Sequence, residues 1–443
     1  MVYQTKEYKS YYIRVAWIFV AIILTYGLHL RYATVVNTEV YVPIRADAKD
    51  YFNYATNISK YHIFSRQSVN NNLNELTPDA LRSPGYPFFA SIFVTDNKKE
   101  TVEATIIAQT VVQIICFSFL TAAVIKIFGI VWSVPAVFLL WTFPHFVTVN
   151  TYYLSESIFI SALAILICLL WEQSKSEKMS YPGLILVAIL FGITILIKPV
   201  IQYFPVFLLL ISVILARENF KKAALFTLVS WLPLVLWNVR NLISIGSMSD
   251  PTLTINAIFH GSYPSFMYNS DPETFGFPYR FDPLQQEYYN GIISALSLIW
   301  ERANQSLNEY LHWYVIGKQA YLWQWSIIAG QGDIYIYPVI KSPFIELVDM
   351  KFIRSVNHLI HGFWVWLGLA ASLFVAISSV LGKIRFSQFW IILSMFLTYV
   401  VLIHMIIAPF PRYGIPFKLF AILFSVFAIK ELVCLVARKG GKQ

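Results

Sequence analysis

EATIIAQTVVQIICFSFLTAAVI, residues 103–125, decides the fold class, because its only charge, Glu103, sits at one end. Coiled as an α-helix, a run of this length crosses the roughly 30 Å of bilayer hydrocarbon. Comparable runs recur to the C-terminus. The 443-residue chain is 57% hydrophobic, 17% aromatic and 13% charged, against roughly 25% charged in a soluble globular protein. That composition excludes a soluble enzyme and predicts an all-α polytopic membrane protein. About ten transmembrane helices are expected by hydropathy. They fall near 12–30, 103–125, 129–147, 151–171, 181–197, 200–216, 222–242, 356–381, 387–408 and 413–436.

The basic residues test this count. Lys6, Lys9 and Arg14 precede the first span, and Lys126, Lys175, Lys178, Arg217, Lys221 and Lys222 fall in alternate short loops. Lys383, Arg385, Arg438, Lys439 and Lys442 complete the set. All lie on one side if both termini are cytoplasmic, as the positive-inside rule requires. The formal charge of +9 is therefore largely topological, and no nucleic-acid partner is expected. The first span is long and lacks a small-residue cleavage site, which reads as an uncleaved anchor. Cys116, Cys168 and Cys434 fall inside apolar runs and read as packing residues. The eight histidines show no metal-ligand spacing. Phosphate-loop, dinucleotide and nucleophile-elbow motifs are also lacking.

Two long loops remain for the opposite side. Residues 1–242 are expected to form an N-terminal transmembrane catalytic module that includes the first outer loop, 31–102, with amphipathic juxtamembrane helices. Residues 243–355, rich in aromatic residues as in HWYVIGKQAYLWQWS at 312–326, are expected to form a helical loop domain, and 356–443 the C-terminal transmembrane helices.

The candidate chemistry gathers at helix ends on that side. Asp47 and Asp50 in RADAKDY, residues 45–51, share a helix face with Tyr51 and Tyr54. A carboxylate at the edge of the apolar phase can serve as a general base; helix capping is the plain alternative. Arg82-Ser83-Pro84-Gly85-Tyr86-Pro87 is a rigid turn into an apolar helix, and Arg82 can meet an anion or one of the loop acids. Glu156, opening a span in LSESIF, either caps that helix or has a partner. Lys198, Arg240 and Arg412 stand at three separate helix ends against the charge trend. An anionic phosphate would account for all three, whereas snorkelling accounts for each one singly.

In order and type, DAKDYFNYA at 47–55 and RSPGYPFF at 82–89 resemble the C-type superfamily of integral-membrane glycosyltransferases. The nearest similarity is to bacterial relatives of the protein O-mannosyltransferases and lipid A aminoarabinose transferases. LSESIF at 154–159, KP at 198–199, WNVRN at 237–241 and PRYGIPF at 411–417 continue the resemblance along most of the chain; 243–355 matches nothing in it. The resemblance implies an inverting transferase. It would move a sugar from a polyprenyl-phosphate donor to an acceptor hydroxyl at the periplasmic face of the bacterial inner membrane.

The family's loop acid maps onto Asp47, and whether Asp47 or Asp50 is the base stays open, because the family pattern often has adjacent acids. Asp47, Asp50 and Glu156 are the expected catalytic group. Arg82 with Tyr86, Lys198, Arg240, and Arg412 with Tyr413 are the expected substrate-binding group. Many relatives have Arg where this chain has Lys198, which makes that contact a point charge rather than a fork. No cofactor is required by this reading, and a divalent ion on the acids is left open. The expected partners are the lipid-linked sugar, a glycan, lipid or protein acceptor, and membrane lipids around a monomer. The rival readings are an O-antigen ligase or polymerase, which would carry arginine-based sites in later loops, and a flippase or transporter, which would carry mid-span charges and broken helices.

Overall fold

A computed structural model of the chain describes residues 2–68, 76–175, 180–215, 219–328 and 331–440. Lys178, Arg217 and Lys442 of the topological set lie outside them. The elements in the first half are α1 (Val2–Asn37), α2 (Asp47–Tyr61), α3 (Gly85–Ser91), α4 (Lys98–Phe128), α5 (Ile130–Thr142), α6 (Pro144–Thr148), α7 (Glu156–Gln173), α8 (Tyr181–Ile197), α9 (Phe204–Leu215) and α10 (Phe220–Ile245). The second long loop carries α11 (Thr252–Gly261), α12 (Gln285–Tyr288), α13 (Ile292–Gln305), α14 (Leu307–His312), α15 (Lys318–Trp323) and α16 (Pro343–Glu346). The chain ends with α17 (Val348–Val380), α18 (Gln388–Ile406), α19 (Pro411–Gly414) and α20 (Lys418–Gly440). The protein is an all-α, multi-pass membrane protein.

The expected ten spans all coincide with apolar helices, but not all ten have spanning length. Among the described residues seven do: Ser10–Asn37, α4, α7, α10, α17, α18 and Pro411–Ala437. The pair α5–α6, bent by 45°, makes eight if counted as one span. α8 and residues 199–213 are apolar but shorter. The chain breaks between them at Lys198-Pro199, because proline supplies no backbone N–H to continue the helix. The break leaves Lys198 extended.

Sequence punctuation explains the other ends. Asn97 caps α4 by accepting from the amides of Lys99 and Glu100 at 2.9 and 3.4 Å, and Gly129 closes it at φ +79°. The bend after α5 is held by Arg31, which is fully buried within α1. Its guanidinium donates to the carbonyls of Trp141 (2.9 Å) and Leu140 (3.4 Å) and to Gln113 (3.0 Å), and lies over the ring of Trp141. Carbonyls freed where a helix stops need such a donor inside a membrane.

Two short strands join the long loops. β1 (Glu39–Val40) pairs antiparallel with β2 (Val339–Lys341), and the Tyr41 amide donates to the Pro338 carbonyl at 3.0 Å. Both loops therefore lie at one end of the bundle, here called the loop face.

Close helix crossings use small residues, as expected where lipid removes the hydrophobic incentive to pack. A Cβ at Gly368 of α17 would stand 2.1 Å from the Ala421 carbonyl oxygen of α20. Gly368→Ala should force those helices apart and cost roughly 1–3 kcal/mol. A lower thermal unfolding midpoint in detergent checks this; an unchanged midpoint contradicts the crossing.

Candidate active site

α2 begins at Asp47, and the residue before it, Ala46, takes a left-handed φ of +44° and makes no side-chain cap. A non-glycine residue held there is strained by about 1–3 kcal/mol, a pattern common where geometry serves a site. The first-turn acids do not cap the helix. Arg82 lies between them, with Nη2 at 2.8 Å from Asp47 Oδ1 and 2.8 Å from Asp50 Oδ2, and Nε at 3.0 Å from Asp50 Oδ2. The other oxygen of Asp47 takes Nη2 of Arg412 at 2.5 Å. Asp47 is thus clamped between arginines that are 330 positions apart in sequence.

Glu156 opens α7 and is 3% exposed; it too forms an ion pair rather than a cap. Lys198 Nζ donates to its Oε1 at 2.9 Å and lies 5.2 Å from the ring centre of Tyr413. Tyr413 also flanks the Arg412 guanidinium at 5.1 Å, so one ring is shared by the two pairs. Three carboxylates and three cations, from five separate segments, form one cluster whose formal charges cancel. That balance matters at a membrane edge, where an unmatched charge is costly.

The framework around the cluster is short-range and dense. Gly85 allows it: a Cβ there would stand 2.7 Å from the Ile197 amide nitrogen and 2.8 Å from the Leu196 carbonyl oxygen. The Arg82 turn therefore lies directly on the end of α8 that presents Lys198. Tyr51 packs edge-on against Tyr86 at 5.0 Å, and Tyr86 against Tyr153 at 5.7 Å. The Tyr51 hydroxyl donates to Ser155 Oγ at 3.4 Å. The Tyr86 hydroxyl turns inward to Gln109 Oε1 at 3.1 Å, so Tyr86 supplies a wall rather than a polar contact. From the second loop, Tyr337 donates to the Arg45 carbonyl at 3.2 Å and anchors the start of α2.

Arg240 is not brought into this cluster. Its Nη1 donates to the Asp79 carbonyl (3.1 Å) and Asn241 Oδ1 (3.0 Å), and its guanidinium stacks over Trp237. Asp79 in turn accepts from the Tyr54 hydroxyl and from the amides of Arg66 (2.8 Å) and Leu81 (3.1 Å). Arg240 thus braces the loop that delivers Arg82. Sequence reasoning passed over Asp79, Tyr153 and Tyr337. Asp79 alone left a signal, three residues before Arg82.

Electrostatics follow from the pairing. Burial pushes the Asp47 carboxyl upward, but Arg412 and Arg82 outweigh it and hold the group well below the usual carboxylate range. Burial lowers the Arg82 guanidinium, and Asp47, Tyr51 and Asp50 more than restore it, leaving it above its ordinary value. Burial pushes Tyr51 up to about 12. Among the described residues, no group of three His, Cys, Asp or Glu is arranged to hold a metal ion. Deeper in the bundle, a cavity of about 390 Å³ lies among α7, α8, α9, α10, α18 and α20, walled by Leu163, Phe191, Phe204, Phe226, Phe396 and Phe420.

No protein-family model matches the sequence, nor does any curated protein. Among solved structures the chain is similar to the archaeal oligosaccharyltransferase AglB from Archaeoglobus fulgidus in complex with an inhibitory peptide and a dolichol-phosphate. Identity is 12% and the TM-score 0.47, over 96% of this chain and 52% of that one. It is also similar to ArnT from Cupriavidus metallidurans in the apo state, with 12% identity and a TM-score of 0.40 over 88% and 77% of the two chains. For ArnT bound to undecaprenyl phosphate the values are 12%, 0.37, 87% and 76%. The chain spans about half the length of the archaeal protein.

The Lys198–Glu156 pair gives a direct test of the cluster. Removing one partner of a buried pair leaves the other charge uncompensated and costs about 3 kcal/mol. Lys198→Met should therefore lower the unfolding midpoint strongly, and adding Glu156→Gln should recover most of the loss. Additive losses in the double variant contradict the pairing.

Proposed function

We propose that this chain is a membrane glycosyltransferase that transfers a sugar from a polyprenyl phosphate to an acceptor hydroxyl with inversion. On this reading the loop face would lie on the periplasmic side of a bacterial inner membrane, with both termini cytoplasmic; the basic short loops support that orientation. The observation that carries the reading is the clamp on Asp47: a candidate base is shared between two arginines, one of which stands beside a lysine. Acids for proton transfer and cations for a phosphate thus occupy one place.

The clamp also dictates an order. With both arginines engaged, Asp47 is a weak proton acceptor. A donor phosphate would draw Arg412 and Lys198 toward itself, since charge-assisted bonds to phosphate compete well with those to carboxylate. Asp47 would then keep only Arg82, and its basicity would rise as one cation leaves. The acceptor oxygen attacks the anomeric carbon while its proton passes to Asp47. The bond from that carbon to the phosphate oxygen breaks, and its electron pair leaves with the phosphate. Negative charge grows on the leaving phosphate as Arg412 and Lys198 hold it, so the transition state gains more than the ground state. Asp50 keeps Arg82 in place, and Glu156 holds Lys198 until the donor arrives. The cavity, apolar except towards its end at Asn219, Lys222 and Gln388, would take the isoprenoid chain.

Asp47→Asn keeps the shape and removes the base. Transfer in membranes supplied with polyprenyl-phosphate sugars should fall by about 10²–10⁴-fold, and undiminished transfer would remove Asp47 from this role. The ordering has its own signature in pH. A carboxyl held low by cations loses its charge only at strongly acid pH, and losing one cation moves that point upward. The acid limb of kcat, which reports the donor-bound enzyme, should therefore lie at higher pH than that of kcat/KM for the donor, which reports the free enzyme. Coincident limbs contradict arming by the donor.

A further inference from the structure

Lys318 has no exposed surface and, among the described residues, forms no ion pair with a carboxylate. Its Nζ donates to three successive carbonyls at the end of α18: Met405 at 2.9 Å, Ile406 at 3.1 Å and Ile407 at 3.3 Å. It also lies 3.8 Å from the ring centre of Tyr314. The last carbonyls of a helix lack partners within it and form the negative end of its dipole. One ammonium satisfying three of them bolts the start of α15 to the end of α18. Gln319, the next residue, adds a bond from Nε2 to the Val401 carbonyl at 3.0 Å and accepts from Trp323 Nε1 at 3.1 Å.

The other side of α15 grips α19. A Cβ at Gly414 would stand 2.3 Å from the Leu322 carbonyl oxygen, so α19 lies against α15 backbone to backbone. Only residues 407–410 separate α18 from α19, and Arg412 is the second residue of α19. That connection is pinned once more, by the Ala408 amide donating to the Ala257 carbonyl of α11 at 2.8 Å. A π-helical turn over Trp313–Gly317 leads into Lys318, and such turns are frequent at functional sites. Trp313 Nε1 donates to the Gly261 carbonyl at 2.9 Å, which ties this turn to α11 as well.

We infer that Lys318 is a positioning residue: by clamping the end of α18 it fixes the 407–410 turn and so sets Arg412 against Asp47. This rests on the reading of Arg412 as a donor-phosphate contact. It gives the second long loop a task in donor recognition that its own sequence, unlike that of the first loop, does not advertise.

The test uses the full-length chain in lipid nanodiscs, with Lys318→Met and, as a second route to the same displacement, Gly414→Ala. Hydrogen exchange at the amides of 405–414 should rise in both variants while exchange in α4 is unchanged. Donor KM should rise by roughly 10–100-fold, the scale of a misplacement near 1 Å, with acceptor KM unchanged. Lys318→Arg, which keeps charged donors at the carbonyls, should retain most of the donor affinity. Unchanged exchange at 405–414 in both variants overturns the positioning role, as does an equal rise in donor and acceptor KM. If the unaltered chain transfers no sugar from any polyprenyl-phosphate donor, the functional reading falls. The exchange measurement then decides the positioning role alone.

Discussion

Asp47 shared between Arg82 and Arg412 is the constraint on which the rest of the arrangement depends. Each arginine takes a different carboxylate oxygen, so the three segments that carry these groups cannot shift independently. The strained backbone at Ala46, the glycine contact at Gly85 and the short strands joining the two loops all converge on holding that clamp. Placed at the edge of an apolar bundle, the clamp is stable only because Asp50, Glu156 and Lys198 complete the balance of charge.

The clamp also reconciles two demands that conflict in a single carboxylate. A base should be near neutral in its proton affinity, yet an acid buried beside an apolar phase needs cations to stay ionised and ordered. In the proposed mechanism, sharing those cations with an incoming phosphate would meet both demands in sequence. On that proposal the resting state is ordered and weakly basic, and the loaded state would be more basic.

Much of the fold was legible in the chain, since long apolar runs and basic loops obey a solvent rule rather than a packing rule. The break at Lys198-Pro199 was legible too, dividing the expected spans 181–197 and 200–216; what apolar composition does not register is that the helices on either side, α8 and residues 199–213, stop short of spanning length among the described residues. Asp47, Arg82, Glu156, Lys198 and Arg412 were each visible as charged groups at helix ends. A loop acid was already one of the two partners open to Arg82, and it is the one the structure shows. The pairings of Arg412 with Asp47 and of Lys198 with Glu156 were not legible, because they depend on how the segments pack. Arg240 looked equivalent to Lys198 and Arg412 by the same criterion, yet it faces Asp79 and an aromatic shelf. Tyr86 is in the expected motif, but its hydroxyl is turned to Gln109 by the depth at which α3 is buried. Arg31, Lys318 and Tyr337 carry no motif at all; they matter through backbone carbonyls, which sequence patterns do not reveal.

The central claim is that a lipid-borne phosphate takes over cations that Asp47 and Glu156 hold in its absence. The most direct measurement is a structure of the full chain in a lipid bilayer disc with undecaprenyl phosphate bound. The expected result places the phosphate oxygens within hydrogen-bond distance of Arg412 and Lys198, with Asp47 still on Arg82 and released from Arg412. A phosphate bound elsewhere, or bound with the Asp47–Arg412 and Glu156–Lys198 pairs intact, would contradict it.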